Sequence, residues 1–171
     1  ANGVPMGDVA QSITYFNGKY FVVLNGSAKI EVVEPETFKS VGTILYTQKG
    51  SPRFMVPIND TEAIVTDLQG QLVRVNTSDY SVVEYIPLAT NWGIEKIVKI
   101  GNKLFGANPA GKGIAVFDVN NISEEGKRII RVLVKDNTKT SKMHLDKNNK
   151  LWVLTTGTNT QKENCVFWNC I

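Results

Sequence analysis

The sequence predicts an all-β fold. It is expected to be a β-propeller of four-stranded antiparallel blades, with about three and a half to four blades present, a partial or half propeller. Three observations lead there. The chain repeats itself at a step of about 42 residues, the period of a propeller blade. Each repeat reads as runs of about five apolar or alternating residues separated by turn chemistry, which is a strand signature. Helical periodicity is nearly missing: only Ile122–Lys127 reads as a short helical turn, with Ser123 as N-cap and glutamates behind it.

The first unit sets the pattern. Strands are expected at Ser12–Phe16, Lys19–Leu24, Lys29–Val33 and Ser40–Leu45. Asn17-Gly18 between the first two is the strongest short hairpin signal. Asn25-Gly26-Ser27 separates the next pair, and Pro35-Glu36-Thr37 the last, where the proline ring presets a turn dihedral. The same devices return downstream. Val32–Phe38 resembles Arg74–Tyr80 and Val116–Asn120, so that Glu34, Asn76 and Asp118 fall 42 residues apart. Tyr20–Asn25 resembles Ala63–Asp67 and Leu104–Asn108. Gly101-Asn102 marks a hairpin in the third unit. An insertion around Asn121–Lys139 precedes a fourth copy, which starts at Lys142–Leu145, turns at Asp146–Asn149 and continues as Lys150–Thr155. The blades are therefore expected at about 8–46, 51–89, 92–135 and 140–171, all in one domain spanning 1–171.

A small twisted meander cannot bury either face alone, so neighbouring blades must stack. The core is then expected at the alternating apolar positions of each second and third strand: Phe21, Val23, Ile30, Val32, Ile64, Val73, Val75, Leu104, Ile114, Val116, Leu151 and Val153. Six to eight blades at this period need about 250–340 residues, and the chain has 171. A half ring is preferred over a closed four-blade ring. Four-bladed hemopexin-like rings tie first blade to last with a disulfide, whereas Cys165 and Cys170 lie at one end. A half ring leaves apolar blade faces bare. Two copies can close one ring by symmetry, which makes a homodimer an expected assembly.

Composition narrows the function classes. Nineteen Lys plus Arg against 16 Asp plus Glu give a net charge of +3, too small and dispersed to argue for nucleic acid. No apolar run approaches the roughly 18 residues of a membrane helix, so no transmembrane segment is expected. His144 is the only histidine and lies on an expected inner strand. Cys165 and Cys170 form one C-x4-C without a second pair, which argues against a zinc site. Gly101-Asn102-Lys103 and Gly111-Lys112-Gly113 sit between strands rather than opening helices, so they read as turns rather than phosphate cradles. No metal, cofactor or catalytic residue is expected. Glu34, Asn76 and Asp118 are expected to bond their own turns.

Several motifs resemble a known family. Gly7–Ser12, Asn17-Gly18-Lys19 and Gly26–Val33 are similar to the first blade of YncE-like propellers, more narrowly of surface-layer-type lipoproteins of Bacteroidetes. Ser51-Pro52-Arg53, Asp60–Ala63 and Thr66-Asp67-Leu68 resemble the next blade. Trp92–Glu95 and Lys150–Leu154 resemble the third and fourth. The resemblance covers 5 to about 157. It implies a seven-bladed ring of about twice this length, exported and held at the cell surface or in the periplasm. Some members resemble a surface propeller that captures cobalamin.

Propellers bind ligands at the mouth of the central channel. Loops leading into the inner strands, and loops joining second to third strands, place Gln11, Asn25, Arg53, Asp67, Trp92, Glu95 and Asn108 there. This mixture of aromatic, amide and charged side chains suits a small molecule, a glycan or a protein. The expected function is a non-catalytic binding module of an exported surface protein. The alternative is an extracellular propeller enzyme, a polysaccharide lyase or hydrolase.

Overall fold

The computed structural model describes residues 3, 5–89, 92–110, 113–131, 139–156 and 164–169. Its first sheet is a meander of β1 (Ala10–Phe16), β2 (Lys19–Leu24), β3 (Lys29–Val33) and β4 (Ser40–Leu45), paired in that order. The second has β5 (Pro52–Pro57), β6 (Glu62–Asp67), β7 (Gln71–Asn76) and β8 (Val82–Pro87). The third has β9 (Ile97–Ile100), β10 (Lys103–Ala107), β11 (Gly113–Asp118) and β12 (Arg128–Arg131). Three described strands, β13 (Lys139–Leu145), β14 (Lys150–Thr156) and β15 (Asn164–Asn169), make the last. All pairings are antiparallel, and each sheet packs on the next in chain order. The result is a partial propeller that does not close.

Turn chemistry sets the first hairpin. Asn17 and Gly18 both adopt positive φ, 47° and 73°, the twist that a two-residue hairpin needs. The acceptors spaced 42 residues apart close their own turns. Glu34 accepts from the amides of Glu36 and Thr37, Asn76 from those of Ser78 and Asp79, and Asp118 from that of Asn120. No helix forms over Ile122–Lys127. The Ser123 hydroxyl accepts from the Gly126 amide at 3.0 Å, as an N-cap does, but β12 begins at Arg128 before a helical turn can propagate.

The core lies between the sheets. One cluster joins Phe21, Val23, Ile30 and Val32 of the first blade to Met55, Val65, Val73 and Val75 of the second. The next joins Ile64, Leu72 and Ile86 to Ile97, Leu104 and Phe117. The third joins Phe105, Ile114 and Val116 to Met143, Leu151 and Val153. All twelve expected core residues are buried. Tyr80, on a turn with φ 62°, lays its ring over Gly42 of the preceding blade. A Cβ at position 42 would lie 2.1 Å from that ring.

Gly42→Ala is therefore expected to cost about 1–3 kcal/mol through overpacking. Urea denaturation checks this: the midpoint should fall while the slope stays unchanged.

Candidate functional site

The inner strands β1, β5, β9 and β13 are the building blocks of the site. Cross-strand register makes Ala10, opposite Leu24, equivalent to Pro52, opposite Asp67. One residue later come Gln11 and Arg53, and a further 42 residues on comes Glu95. Register breaks at this point in β1, β5 and β13. In the third blade the Ala107 carbonyl accepts from the Glu95 amide, while the Ala107 amide donates to the Lys96 carbonyl, two residues facing one. Each blade thus has a bulge at the start of its inner strand, and a bulge bends the strand and re-aims its side chain. In β13 the equivalent residue is Ser141.

Arg53 and Glu95 meet across two blades. Arg53 Nε donates to Glu95 Oε2 and Nη2 to Oε1, both at 2.7 Å. The two side chains are 20% and 15% exposed, so the fork is shielded and its planar geometry is well used. Gln11 is half-buried on the neighbouring strand, and its amide makes no hydrogen bond among the described residues. Hydroxyls fix the spacing of the strands. Ser12 and Thr14 donate to the carbonyls of Arg53 and Met55 at 2.7 and 3.0 Å, and Thr66 donates to the Glu95 carbonyl at 2.7 Å. Beside the fork, the half-buried Lys96 ammonium lies 4.2 Å from the Phe54 ring centre. Burial pushes its pKa down.

Asn25 and Asp67 converge on Ser51. Asn25 Nδ2 donates to Ser51 Oγ at 2.8 Å and to the Pro52 carbonyl at 3.0 Å. Asp67 is fully buried and accepts from the amides of Ser51 and Gln69 at 2.8 and 2.7 Å. Burial raises its carboxyl above the ordinary range, against the pull of those hydrogen bonds. The Tyr46 hydroxyl is buried and has no hydrogen-bond partner among the described residues. Burial first, then the Asp67 charge, raises its pKa. Asn108 is buried, and its Oδ1 accepts from the Ala110 amide at 2.9 Å. Its backbone amide donates to the Thr140 hydroxyl of the fourth blade at 3.0 Å.

Trp92 sits in the β8–β9 connection and packs on the cluster between the second and third blades. The Lys127 ammonium lies 4.3 Å from its ring centre and is held by both Glu124 oxygens at 2.7 Å. The structure thus brings Arg53 and Glu95 together with Gln11 alongside. It seats Asn25 and Asn108 in ties between blades, buries Asp67 against the entry loop of its own blade, and sets Trp92 as a wedge. Lys127 had no sequence signal as its partner, because it comes from the insertion 35 residues downstream. A cleft of about 400 Å³, lined by Leu68, Gln69, Gly93 and Pro109 among others, opens between the loops of blades two and three.

His144 is exposed on β13. Cys165 is described only as backbone within β15, and Lys112 and Cys170 lie outside the described residues. Among the described residues no group of three or more His, Cys, Asp or Glu could hold a metal, and no helix is long and apolar enough to cross a membrane.

A family model described as a domain of unknown function, DUF5074, matches residues 1–164. No curated protein sequence matches the chain. Solved structures do. Hydrazine synthase of Kuenenia stuttgartiensis gives a TM-score of 0.71 at 13% identity, covering 92% of this chain and 45% of that one. The WD40 β-propeller domain of Doa1 gives 0.68 at 12%, covering 94% and 50%. A streptogramin B lyase gives 0.70 at 13%, covering 91% and 53%. At these identities the likeness shows the fold. The chain spans about half the length of the solved structures it matches.

Two outcomes are expected. Glu95→Gln should cost about 1–3 kcal/mol, because it leaves a shielded guanidinium without its charge partner. A double-mutant cycle with Arg53→Gln, read by denaturation, should recover a coupling between the two positions. Asp67 should also make stability depend on pH. Its folded pKa is raised, so the folded chain binds more protons than the unfolded one between the ordinary and the raised value. Wild type should therefore gain stability relative to Asp67→Asn as pH falls through the raised value. Parallel thermal melts from neutral to mildly acidic pH check the sign.

Proposed function

We propose that this chain, which belongs to the DUF5074 family, is a non-catalytic binding and interaction propeller of an exported cell-surface or periplasmic protein. Its ligand, a small molecule, glycan or protein, is held at the end of the arc where the inner strands begin. The observation behind this reading is the bulge repeated at the start of each inner strand, which sets Gln11, Arg53 and Glu95 in one row. Bulges of this kind concentrate beside binding sites. The neighbouring cleft of about 400 Å³ falls within the roughly 300–1,000 Å³ typical of small-molecule sites.

The same geometry argues against acid–base catalysis by these groups. Glu95 is committed to a forked ion pair, and Asp67 is sealed from solvent with two amides on it. A base must reach the proton it abstracts. The pair also cancels its own charge, which favours a ligand recognised by hydrogen bonds over one captured by a strong field. The Gln11 amide offers both a donor and an acceptor for that purpose. Export and surface location rest on the likeness of Gly7–Ser12, Ser51-Pro52-Arg53 and Trp92–Glu95 to surface-layer-type YncE-like propellers. That likeness makes a corrinoid the first small molecule to try.

The test titrates cobalamin, then a panel of polysaccharides, by calorimetry, while reducing ends and unsaturated products are followed. Saturable binding without turnover is expected for one of them. Gln11→Ala should weaken it about tenfold or more, which corresponds to roughly 1.4 kcal/mol. Turnover that Glu95→Gln lacks would replace this reading with a polysaccharide lyase or hydrolase. No saturable binding by any probe would remove the small-molecule and glycan classes.

A further inference from the structure

The connection between third and fourth strands differs among the blades. It takes six residues in the first (34–39), five in the second (77–81) and nine in the third (119–127). In the first two, Phe38 and Tyr80 turn the chain back on a left-handed backbone, with φ 54° and 62°. In the third, the longer loop walls a cavity of about 490 Å³.

That loop is fastened. Ile122 is buried in the cluster between the second and third blades. Glu124 accepts from the Ala89 amide at 2.9 Å and holds Lys127, whose ammonium lies over Trp92. Gly126 folds closely on Asn121, where a Cβ would lie 2.7 Å from the Asn121 carbonyl oxygen, and its amide donates to the Ser123 hydroxyl. Glu125 stands between two fastened residues, yet its carboxylate has no hydrogen-bond or ion-pair partner among the described residues.

Four charged side chains line the cavity: Lys103, Asp118, Glu125 and Arg128. Register sets Lys103 opposite Asp118 and Arg128 opposite Val116, so the three on strands share one face of the blade. No two of the four form an ion pair: every nitrogen stays more than 4.0 Å from every carboxylate oxygen. Asp118 is drawn aside by its own turn, with Oδ1 accepting from Asn102 Nδ2 and the Asn120 amide, both at 2.9 Å. Two cations and two carboxylates thus surround one space without neutralising each other across it.

The signs select the occupant. An anion alone, drawn to Lys103 and Arg128, would face two carboxylates, and a cation alone would face the two positive groups. Only a molecule carrying both charges meets a partner at each end. We propose that this cavity binds a small zwitterion of the class of a free amino acid or dipeptide. Its carboxylate sits on Arg128 and Lys103, where the guanidinium can fork onto both oxygens. Its ammonium sits on Glu125 and Asp118. The volume lies within the roughly 300–1,000 Å³ of small-molecule sites. The cavity is at the end of the third blade away from Glu95, whose amide bonds to Ala107 at the other end of β10. It is therefore independent of the ligand reading at the inner strands.

The test is calorimetry with the common free amino acids and glycylglycine, set against acetate and methylammonium, which carry one charge each. At least one zwitterion should bind saturably, about tenfold or more tighter than either single ion. Binding should weaken as salt rises, because the four side chains are exposed. Glu125→Gln and Arg128→Gln should each weaken it about tenfold or more. Both side chains are exposed and unpaired, so circular dichroism of the variants should match wild type. Lys147→Gln, at an exposed position of the fourth blade, and Gln11→Ala should leave binding unchanged. Absence of saturable binding by every zwitterion would overturn the proposal. So would equal binding of acetate or methylammonium, binding untouched by both cavity variants, or binding lost equally in Lys147→Gln or Gln11→Ala.

Discussion

A four-stranded meander has two faces, and a chain that alternates apolar residues on both cannot leave either in water. Every other feature of this molecule depends on that constraint. Phe21 and Val23 point to one side of the first blade while Val22 and Leu24 point to the other, and all four are buried. Each blade must therefore be the floor of its neighbour. The repeat step is the length of chain needed to build one floor and return to the inner strand. Small residues adjust the fit: Gly42 admits the Tyr80 ring, and Gly106 lets Ile94 come within contact of its backbone. The steric bargain is the same in both places, with a glycine on one sheet receiving a bulky side chain from a residue near the next contact.

Stacking alone would let blades slide, and the polar ties at the inner strands prevent it. Ser12, Thr14, Thr66 and Thr140 each donate a hydroxyl hydrogen bond to a backbone carbonyl. Between blades these bonds lock inner-strand positions to one another in a place where water is scarce, and an unmade bond there costs more than a made one gains. The framework is thus set by short hydroxyl side chains and backbone. The bulge residues Gln11, Arg53, Glu95 and Ser141 differ in charge and size although they share one place in the fold. Uniform backbone with varied side chains is what a recognition surface requires, since the scaffold can stay fixed while its chemistry changes.

Much of this was legible in the sequence, for physical reasons. Period-two alternation and turn residues located the strands of the first blade, and β2, β3 and β4 begin and end where the pattern placed them. Ladders of this kind depend on local alternation, which a sequence displays directly. The finer alignment drifted where loops differ. Sequence likeness pairs Asn25 with Asp67, whereas the ladder pairs Leu24 with Lys29 and Asp67 with Gln71, making Leu24 and Asp67 equivalent. The loop after β2 is one residue longer than the loop after β6, and similarity of the polar letters hid the offset. Burial of Asp67 was illegible for another reason. It depends on Tyr46 and Gly50 from the preceding blade's exit, and no periodicity encodes contact between a loop and a strand so far apart.

The Arg53–Glu95 fork shows how one repeat position can tie two blades together. A single bulged guanidinium at the inner edge would face water and bind whatever anion passed. A single carboxylate would do the converse. Placed 42 residues apart on adjacent blades, the two are brought to 2.7 Å by the same stacking that buries the core, so the pair costs little further ordering. It links the second blade to the third at the start of their inner strands. Because its charges cancel, the groups at this row that can still exchange hydrogen bonds are the neutral ones. Gln11 is such a group, half-buried on the strand that donates through Ser12 to the Arg53 carbonyl. A neutral amide beside a closed ion pair reads shape and hydrogen-bond pattern more than charge. That is the physical sense in which, under the proposed reading, this edge of the propeller favours selective over electrostatic capture.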